Sequence, residues 1–480
     1  MGPTGVRSWL AAVALWVSWA GWSLCAAENA PGTTGTTEAA IGGTRTLVVL
    51  ERDLLRSTHS MFFDALAARG HELTFRMWAG GRVDLSRYGK YQYDNLVLFA
   101  PSASGGKDAV TVPDVMGFLG GGGNMLVAGG ETTGDVVREV GALCGVDFDT
   151  PGALVVDHFN YRSGMGETLP HTVVKASQAI DKRALLGVYK PEEHGPVLYS
   201  GMGHDVDDAN YLIAKVLTGS NTAYSAQPDK PISTFPDNAG VDTVLVSAVQ
   251  ARNNARTVFA GSLAMFSNKY FLADEAGNEV FCSEISKWAF AERGILRASQ
   301  VAHIRTDGRP AELLLKQKER RDLPASLFSE PEIAKNSQVY RIKDNVTYSL
   351  VIEEYDRERG GWGPYGADDV QMEFVMLDPY ERITLDNDPA SGLFQTTFTT
   401  PDTYGIFKFR ILYRRVGYSV LSFSTQVSIR PFTHKEYERF ILAALPYYSA
   451  AFSVMAGFFL FTMFFIYSSD GDGGKGGGDT

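Results

Sequence analysis

The stretch Asn124–Leu143 reads NMLVAGGETTGDVVREVGAL and contains the unit from which the fold can be worked out. Its first five residues form an apolar run of the length of a buried strand, and Gly129 and Gly130 end that run. From Asp135 to Leu143, apolar residues recur at helical spacing. A short apolar strand followed directly by a helix is the repeating unit of an α/β fold.

Similar units lie on both sides of this stretch. Further strands are predicted at Thr46–Leu50, Leu73–Trp78, Leu96–Ala100, Thr243–Val249 and Arg256–Ala260. Further helices are predicted from Ser57 or Thr58 to Gly70, at Val112–Leu119 and at Ser283–Ala291. We therefore predict a mostly parallel sheet with flanking helices, amidotransferase-like or flavodoxin-like. This part of the chain is predicted to consist of an α/β domain at 45–160 and a looser middle α/β region at 161–298.

From Val339 onward the apolar residues alternate with polar ones instead. Four runs show this period of two: Val346 to Ile352, Val370 to Met376, Phe407 to Tyr413, and Leu421 to Ile429. Such alternation is typical of strands with one buried face. It predicts an antiparallel β-sandwich at 339–432, joined to the first part by a charged connector at 299–338.

Two apolar segments place the chain in a membrane. Phe440–Tyr467 carries no formally charged residue over 28 positions, and about 20 apolar residues suffice for a spanning helix. At the other end, Arg7 precedes the apolar run Trp9–Leu24, which predicts a signal peptide at 1–27. An uncleaved anchor is the alternative. With cleavage, a flexible lead-in at 28–44 and the bulk of the chain are lumenal, and the tail at 468–480 is cytosolic.

The predicted membrane helix carries small residues at a regular interval. Ser449, Ser453 and Gly457 recur every four positions and therefore share one stripe of the helix. Such a stripe allows another helix to approach closely, whereas an anchor that faces only lipid does not need one. The stripe therefore favours a subunit of a membrane complex.

The composition excludes some classes of function. A formal net charge of −11 argues against a nucleic-acid partner. Cys144 and Cys282 would remain after cleavage, and the sequence leaves open whether they pair. Asn345 begins the sequence Asn-Val-Thr, which is an acceptor for N-glycosylation in a lumenal domain.

Three segments could be interpreted as a nucleotide, catalytic or metal site, and for each of them a structural role is the simpler interpretation. The glycines Gly120–Gly123 follow a predicted helix instead of opening one, which indicates a turn and not a phosphate loop. The turn Gly129–Thr133 lacks the Ser or Cys that a hydrolase would place there. The acidic cluster His204–Asp208 is interpreted as a solvated loop in preference to a calcium site. We therefore expect no catalytic residue, cofactor or metal.

Several blocks together resemble one family. They are QARNNAR at 250–256, FAGS at 259–262, PDKP at 228–231, STQVSIRP at 424–431 and the opening segment Leu47–Ser60. In this order they resemble the 48 kDa subunit of eukaryotic oligosaccharyltransferase, over about residues 44–467. The resemblance implies a type I protein of the endoplasmic reticulum membrane.

The resemblance also implies a function. The complex transfers a preassembled glycan from dolichyl diphosphate to Asn in Asn-X-Ser/Thr sequons, and catalysis belongs to a separate polytopic subunit. This chain would be a non-catalytic accessory subunit. Its partners would be that catalytic subunit, ribophorin-type subunits and a small multispanning subunit. The tail departs from the family, because it offers Lys475 alone where members often end in a dilysine signal. The alternatives are a cell-surface binding receptor and an amidotransferase-like enzyme.

Overall fold

The computed structural model describes residues 42–102, 110–165, 169–228, 230, 235–236, 238–306, 312–313 and 338–468. The predicted signal peptide lies outside the described residues, as do nearly all of the lead-in, most of the connector and the tail beyond Ser468.

The first part of the chain alternates between strands and helices. Its strands are β1 (Arg45–Leu50), β2 (Glu72–Met77), β3 (Ser86–Arg87), β4 (Lys90–Tyr91), β5 (Asn95–Phe99), β6 (Asn124–Ala128), β7 (Val146–Phe148), β8 (Leu154–Val156), β9 (Val174–Ala176), β10 (Gln178–Ala179), β11 (Val197–Tyr199), β12 (His204–Val206), β13 (Ile213–Thr218), β14 (Tyr224–Ala226), β15 (Val244–Gln250) and β16 (Arg256–Ala260). Its helices are α1 (Leu54–Thr58), α2 (Ser60–Ala68), α3 (Val112–Gly120), α4 (Asp135–Cys144), α5 (Arg183–Leu186), α6 (Pro191–His194), α7 (Asn268–Phe271) and α8 (Asn278–Ala289).

The main sheet has the strand order β10-β13-β15-β16-β6-β5-β1-β2. Neighbours from β2 to β16 run parallel, whereas β15, β13 and β10 pair antiparallel. The sheet is therefore mixed, and the prediction of a mostly parallel sheet was only partly right. The reason lies at residues 251–255: so short a connection permits only an antiparallel pair. Because β16 pairs with β6, residues on both sides of position 160 share this sheet.

Helices cover both faces of the sheet. On one face α2 and α8 pack on alternate strand residues such as Val97 and Leu126, and on the other α3 and α4 pack on residues such as Leu96 and Met125. Burial on both faces explains why these strands are continuously apolar and could be predicted to within two residues. Helix α8 begins at Asn278, five residues before the predicted start, because the Asn278 side chain bonds both the N–H and the C=O of Leu198.

The second part consists of strands alone among the described residues. They are β17 (Arg293–Arg305), β18 (Glu312–Leu313), β19 (Gln338–Arg341), β20 (Asn345–Asp356), β21 (Gly361–Pro364), β22 (Gln371–Val375), β23 (Pro379–Thr384), β24 (Asp386–Asp388), β25 (Leu393–Thr399), β26 (Gly405–Tyr413) and β27 (Leu421–Arg430). They form one sheet of order β17-β20-β25-β24 with β21 beside β20, and a second of order β18-β19-β27-β26-β22-β23. Both sheets contribute to one buried cluster, in which Leu350 and Phe394 meet Phe374 and Phe409. We call this part the β-domain.

Beyond the β-domain lies a long exposed helix, α9 (Leu445–Tyr467), after a short 3₁₀ turn at Leu442–Ala444. Together they form a candidate membrane span of 26 residues with a mean hydropathy of 2.0 and no part of it buried in the protein. An apolar helix of this length with no protein around it is suited to lipid. This agrees with the prediction for Phe440–Tyr467, apart from a start a few residues later.

Candidate functional site

The block QARNNAR at 250–256 forms the turn of the β15–β16 hairpin. The turn is closed by the Ala251 N–H, which donates to the Ala255 carbonyl at 2.8 Å. Asn254 adopts a left-handed conformation with φ 66°, which asparagine tolerates better than most residues. The Asn253 amide donates to the carbonyls of Leu119 and Gly120 at 2.7 and 3.0 Å and so satisfies the end of α3. The turn is therefore fixed against the α/β domain.

The same turn holds the β-domain. The loop Arg414–Val420, which we call the docking loop, connects β26 to β27 and reaches the turn. The Gln250 side chain donates to the Tyr418 carbonyl at 2.9 Å, and the Val420 N–H donates to Asn254 Oδ1 at 2.8 Å. Two consecutive domains are thus joined by side chains of one short polar segment.

Arg256 lies at the centre of this contact and is only 1% exposed. Its guanidinium donates to the carbonyls of Trp288, Arg293 and Gly294 at 3.1, 2.6 and 2.7 Å. Burial, with nearby Arg293, lowers its pKa to about 9, so the group still carries its charge at neutral pH. The Trp288 carbonyl belongs to the last turn of α8, where the helix dipole favours a cation.

Trp288 connects Arg256 to the docking loop. Its indole N–H donates to the Gly417 carbonyl at 2.8 Å, and the Arg256 guanidinium carbon lies 5.0 Å from its ring centroid. Within the β-domain, the Ser419 N–H donates to the Gly294 carbonyl at 2.9 Å, which ties the docking loop to the strand that Arg256 also contacts. We call the set Gln250, Asn254, Arg256, Trp288 and Gly417 the junction.

Ion pairs surround the junction. Glu284 accepts from Arg293 and Lys287 at 2.5 Å each, and Lys287 also pairs at 2.5 Å with Glu358 of the β-domain. Burial acts to raise the pKa of Glu284, but Arg293 and Lys287 outweigh it and the pKa is lowered. Lys287 therefore joins a carboxylate of each domain.

Gly417 occupies a position where a side chain does not fit. Its φ is +88°, and a Cβ there would lie 2.7 Å from the Cβ of Ala184. Gly122 has a similar φ of +91° with nothing within 4 Å of its Cβ position, which makes it a matched control.

We expect Gly417→Ala to lower the free energy of unfolding by clearly more than Gly122→Ala. Both variants bear the backbone cost of about 1–2 kcal/mol for a left-handed alanine, and only Gly417→Ala also forces the docking loop away from α5. Thermal unfolding of the full chain in detergent measures the difference. Equal midpoints for the two variants would mean that the docking loop is not tightly packed.

The segments considered for catalysis or binding have structural roles. The Thr133 hydroxyl donates to the Gly130 carbonyl at 3.0 Å and closes the turn, while Glu131 and Thr132 are exposed. The glycines at 120–123 form the turn after α3, with Asn253 bonded to its carbonyls.

The acidic cluster does not converge on one point. His204 is buried against Ser247, and burial lowers its pKa to about 3. Asp208 pairs with Lys215 at 2.8 Å, and Asp205 accepts from the Val206 N–H. No group of three or more His, Cys, Asp or Glu placed to hold a metal ion occurs among the described residues.

Cys144 and Cys282 are both free thiols. They belong to the hydrophobic clusters on opposite faces of the main sheet, so a disulfide between them does not form in this structure. Burial raises the pKa of Cys144 to about 11, and that of Cys282 is raised as well, so both are protonated at neutral pH.

The small residues of α9 lie on its exposed surface. The hydroxyls of Ser449 and Ser453 donate to the carbonyls of Pro446 and Ala450 at 2.9 and 2.8 Å within the same helix. A Cβ at Gly457 would meet nothing within 4 Å. Because the hydroxyls are already bonded, the stripe provides space for close approach and few free donors.

The connection from β27 to the membrane helix is also held in place, which the sequence did not indicate. Glu436 accepts from both terminal nitrogens of Arg430 at 2.7 and 2.9 Å and from the Thr433 N–H at 2.8 Å. These bonds hold the pKa of Glu436 well below its usual range, and the bond from Arg430 lowers that pKa the most. The segment therefore leaves the β-domain in a defined direction.

Sequence reasoning selected the turn at 250–256 for its family resemblance and missed Trp288 and Gly417. One signal was available, since five polar residues between two apolar strands are more than a tight turn requires. Their partners lie 32 to 168 positions away along the chain, which no local pattern reveals.

Comparisons with known proteins give the family. Residues 37–292 match the family model described as OST48, N-terminal domain, and residues 328–469 match that of the OST48 middle domain.

Three curated relatives are named dolichyl-diphosphooligosaccharide–protein glycosyltransferase 48 kDa subunit. The Danio rerio protein is 39% identical over 443 residues, covering 90% of this chain and 93% of the relative. The Arabidopsis thaliana protein is 38% identical over 438 residues, covering 88% and 92%. The Drosophila melanogaster protein is 39% identical over 440 residues, covering 88% and 91%.

Among solved structures, a ThuA-like protein of Parabacteroides merdae matches at 13% identity and a TM-score of 0.30, covering 51% of this chain and 89% of that one. So low a score carries no weight. The two family models together cover most of the sequence, and the relatives exceed a third identity along nearly all of it. The chain therefore belongs to the family of the 48 kDa subunit of dolichyl-diphosphooligosaccharide–protein glycosyltransferase.

Proposed function

We propose that this chain is a non-catalytic accessory subunit of an oligosaccharyltransferase complex. The complex transfers a preassembled glycan from dolichyl diphosphate to Asn of Asn-X-Ser/Thr sequons, and this chain supports its assembly and stability, with its lumenal surface available to donor or acceptor. Catalysis lies in a separate polytopic subunit. The names of the relatives support membership of the complex.

The junction is the observation that carries the accessory role. Arg256, Trp288 and Gly417 fix an α/β domain and a β-domain into one body, and Glu436 fixes the exit toward one apolar helix. A rigid lumenal body on a single exposed helix is suited to holding other subunits in position. We interpret the two parts as a flavodoxin-like or amidotransferase-like domain and a β-sandwich.

The topology follows from the same features. We propose a single-pass type I protein of the endoplasmic reticulum membrane, with the signal peptide removed at 1–27, the bulk of the chain lumenal and residues 468–480 cytosolic. Its partners are the catalytic subunit, the ribophorin-type subunits and a small multispanning subunit, which α9 meets through Ser449, Ser453 and Gly457. Without a dilysine signal, retention depends on these partners.

A purification from membranes tests the proposal. Tagged chain solubilised in mild detergent is expected to bring down a polytopic glycosyltransferase, and the eluate to transfer a glycan to a sequon peptide. A complex carrying Glu131→Gln and Thr132→Val is expected to retain that transfer, since both side chains are exposed and lie in a turn. Recovery of the chain alone, with no transfer activity, would refute the accessory role.

Asn345 is proposed to carry a glycan itself. It is exposed at the start of β20, where its Oδ1 accepts from the Thr399 hydroxyl at 2.7 Å and its Nδ2 is the atom that a glycan would occupy. We expect the mobility of the chain on a gel to increase by one glycan after endoglycosidase treatment, and Asn345→Gln to abolish that shift. Thr347→Ser is the control, because it preserves the sequon. A shift that survives in Asn345→Gln would contradict the assignment.

A further inference from the structure

An apolar cleft borders the junction, and Gln250, Trp288 and Gly417 of the junction line part of it. The cleft has a volume of about 320 Å³ and lies between β13, β15 and the docking loop. Its lining includes Leu212, Ala214, Ala248, Val416 and Trp288. Ligand sites form preferentially at such contacts between domains. The lining suits an apolar group of a size comparable to one large side chain.

The rim of the cleft is positively charged although the chain as a whole is acidic. Arg414 donates to the Tyr211 hydroxyl at 3.0 Å and lies 5.3 Å from that ring centroid. Within the described residues Arg414 forms no salt bridge, whereas its neighbour Arg415 pairs with Asp369 at 2.5 Å. Although desolvation acts to raise it, the charges of Arg414 and Arg252 lower the pKa of the Tyr211 phenol. An anionic group is therefore favoured at this rim.

A strand edge borders the same cleft. Ile213 and Ala214 of β13 line it, and β13 pairs on its inner side with β15. Its outer neighbour β10 pairs only with Leu217 and Thr218, so Ile213–Lys215 has no strand on that side in the described part of the chain, although the Ile213 N–H already donates to the Asn210 carbonyl at 3.1 Å. A strand edge of this kind is satisfied by another extended backbone, which a lipid or sugar cannot provide.

The position of the cleft also argues against a lipid of the bilayer. The docking loop precedes β27, and the ten residues of β27 lead from it to Arg430, which is fifteen residues before the start of α9. At about 3.3 Å per residue, the loop lies roughly 30 Å along the strand from that end. This separation along β27 favours an occupant that is not held in the bilayer.

We propose that the cleft binds an extended peptide segment of a partner protein, with one large apolar side chain in the cleft and an acidic side chain beside Arg414. The segment lies along the open edge of β13. This deepens the proposed function and rests on it, since an assembly subunit requires such a recognition site for lumenal segments of its partners.

Peptide binding by the purified full chain in detergent tests the inference directly. Fluorescein-labelled GSVEFEVSG is the probe, and the matched peptides GSVKFKVSG and GSVESEVSG reverse its charge or remove its apolar side chain. We expect the first to bind at least tenfold more tightly than either of the others. Arg414→Glu is expected to lose the acidic peptide and to prefer the lysine peptide. Arg52→Glu, a charge reversal at a distant exposed arginine, is expected to change nothing.

The remaining outcomes would overturn the inference. One is equal binding of the acidic peptide to wild type and Arg414→Glu, at unchanged thermal unfolding midpoints. Another is saturable binding of decanoate that depends on Arg414 while no peptide binds, which would assign the cleft to a small anionic amphiphile. Both are read on the isolated chain, so they are independent of whether partner subunits co-purify.

Discussion

Replacing Arg256 by Met is expected to cost about 3–5 kcal/mol of the free energy of unfolding, the largest effect of any single substitution considered for the α/β domain and the β-domain. Methionine occupies a similar volume but donates no hydrogen bond. The carbonyls of Trp288, Arg293 and Gly294 then lose donors while remaining buried. Arg256→Lys is expected to be intermediate, because an ammonium keeps the charge but cannot span three carbonyls as a planar guanidinium does.

Thermal unfolding of the full chain, followed by tryptophan fluorescence, measures this effect. Arg252→Met is the matched control, since Arg252 lies in the same turn but is exposed, and an exposed substitution is expected to stay within about 0.5 kcal/mol. Limited trypsin digestion tests the contact locally, because loss of the junction is expected to expose the link between the two domains and to speed its cleavage. Equal midpoints for the two methionine variants would show that the buried guanidinium does not hold the domains together.

The strands could be predicted because burial determines them locally. Runs such as Asn124–Ala128 are buried on both faces, and alternating runs such as Phe407 to Tyr413 are buried on one. Each burial pattern can therefore be recognised from the order of apolar and polar residues within the strand. The direction of pairing was predicted less well. The short link between β15 and β16 was visible, yet the strand–helix alternation elsewhere favoured a parallel sheet.

The junction could not be predicted, because its energy comes from contacts that are distant along the chain. Trp288 and Gly417 are 129 positions apart, and Gln250 and Tyr418 are 168 apart. A buried arginine whose partners are backbone carbonyls leaves no charged counterpart in the sequence to search for. The membrane stripe is the opposite case, since spacing alone places Ser449, Ser453 and Gly457 on one face.

Enlarging that stripe is expected to have the largest effect on the complex. In the triple variant Ser449→Leu, Ser453→Leu and Gly457→Leu, the helix becomes more apolar and should still insert. The three leucines, however, prevent the close backbone approach that small residues allow. A loss of about 1.4 kcal/mol already reduces an association constant tenfold, so co-purified partner subunits are expected to fall at least tenfold. Quantitative mass spectrometry of tagged chain from detergent-solubilised membranes provides the measurement.

A control variant tests whether the loss of partners depends on which face of α9 carries the leucines or only on their added volume. Ala451 is exposed and Thr462 half-buried on α9, and at about 100° per residue they lie roughly 160° and 180° around the helix from Ser453. Leucine at these two positions adds bulk to the opposite face and is expected to leave co-purification unchanged. If both variants keep their partners, α9 is a lipid-facing anchor and assembly depends on the α/β domain and the β-domain. If both lose them, the whole circumference of the helix is enclosed by protein and the small residues have no special role.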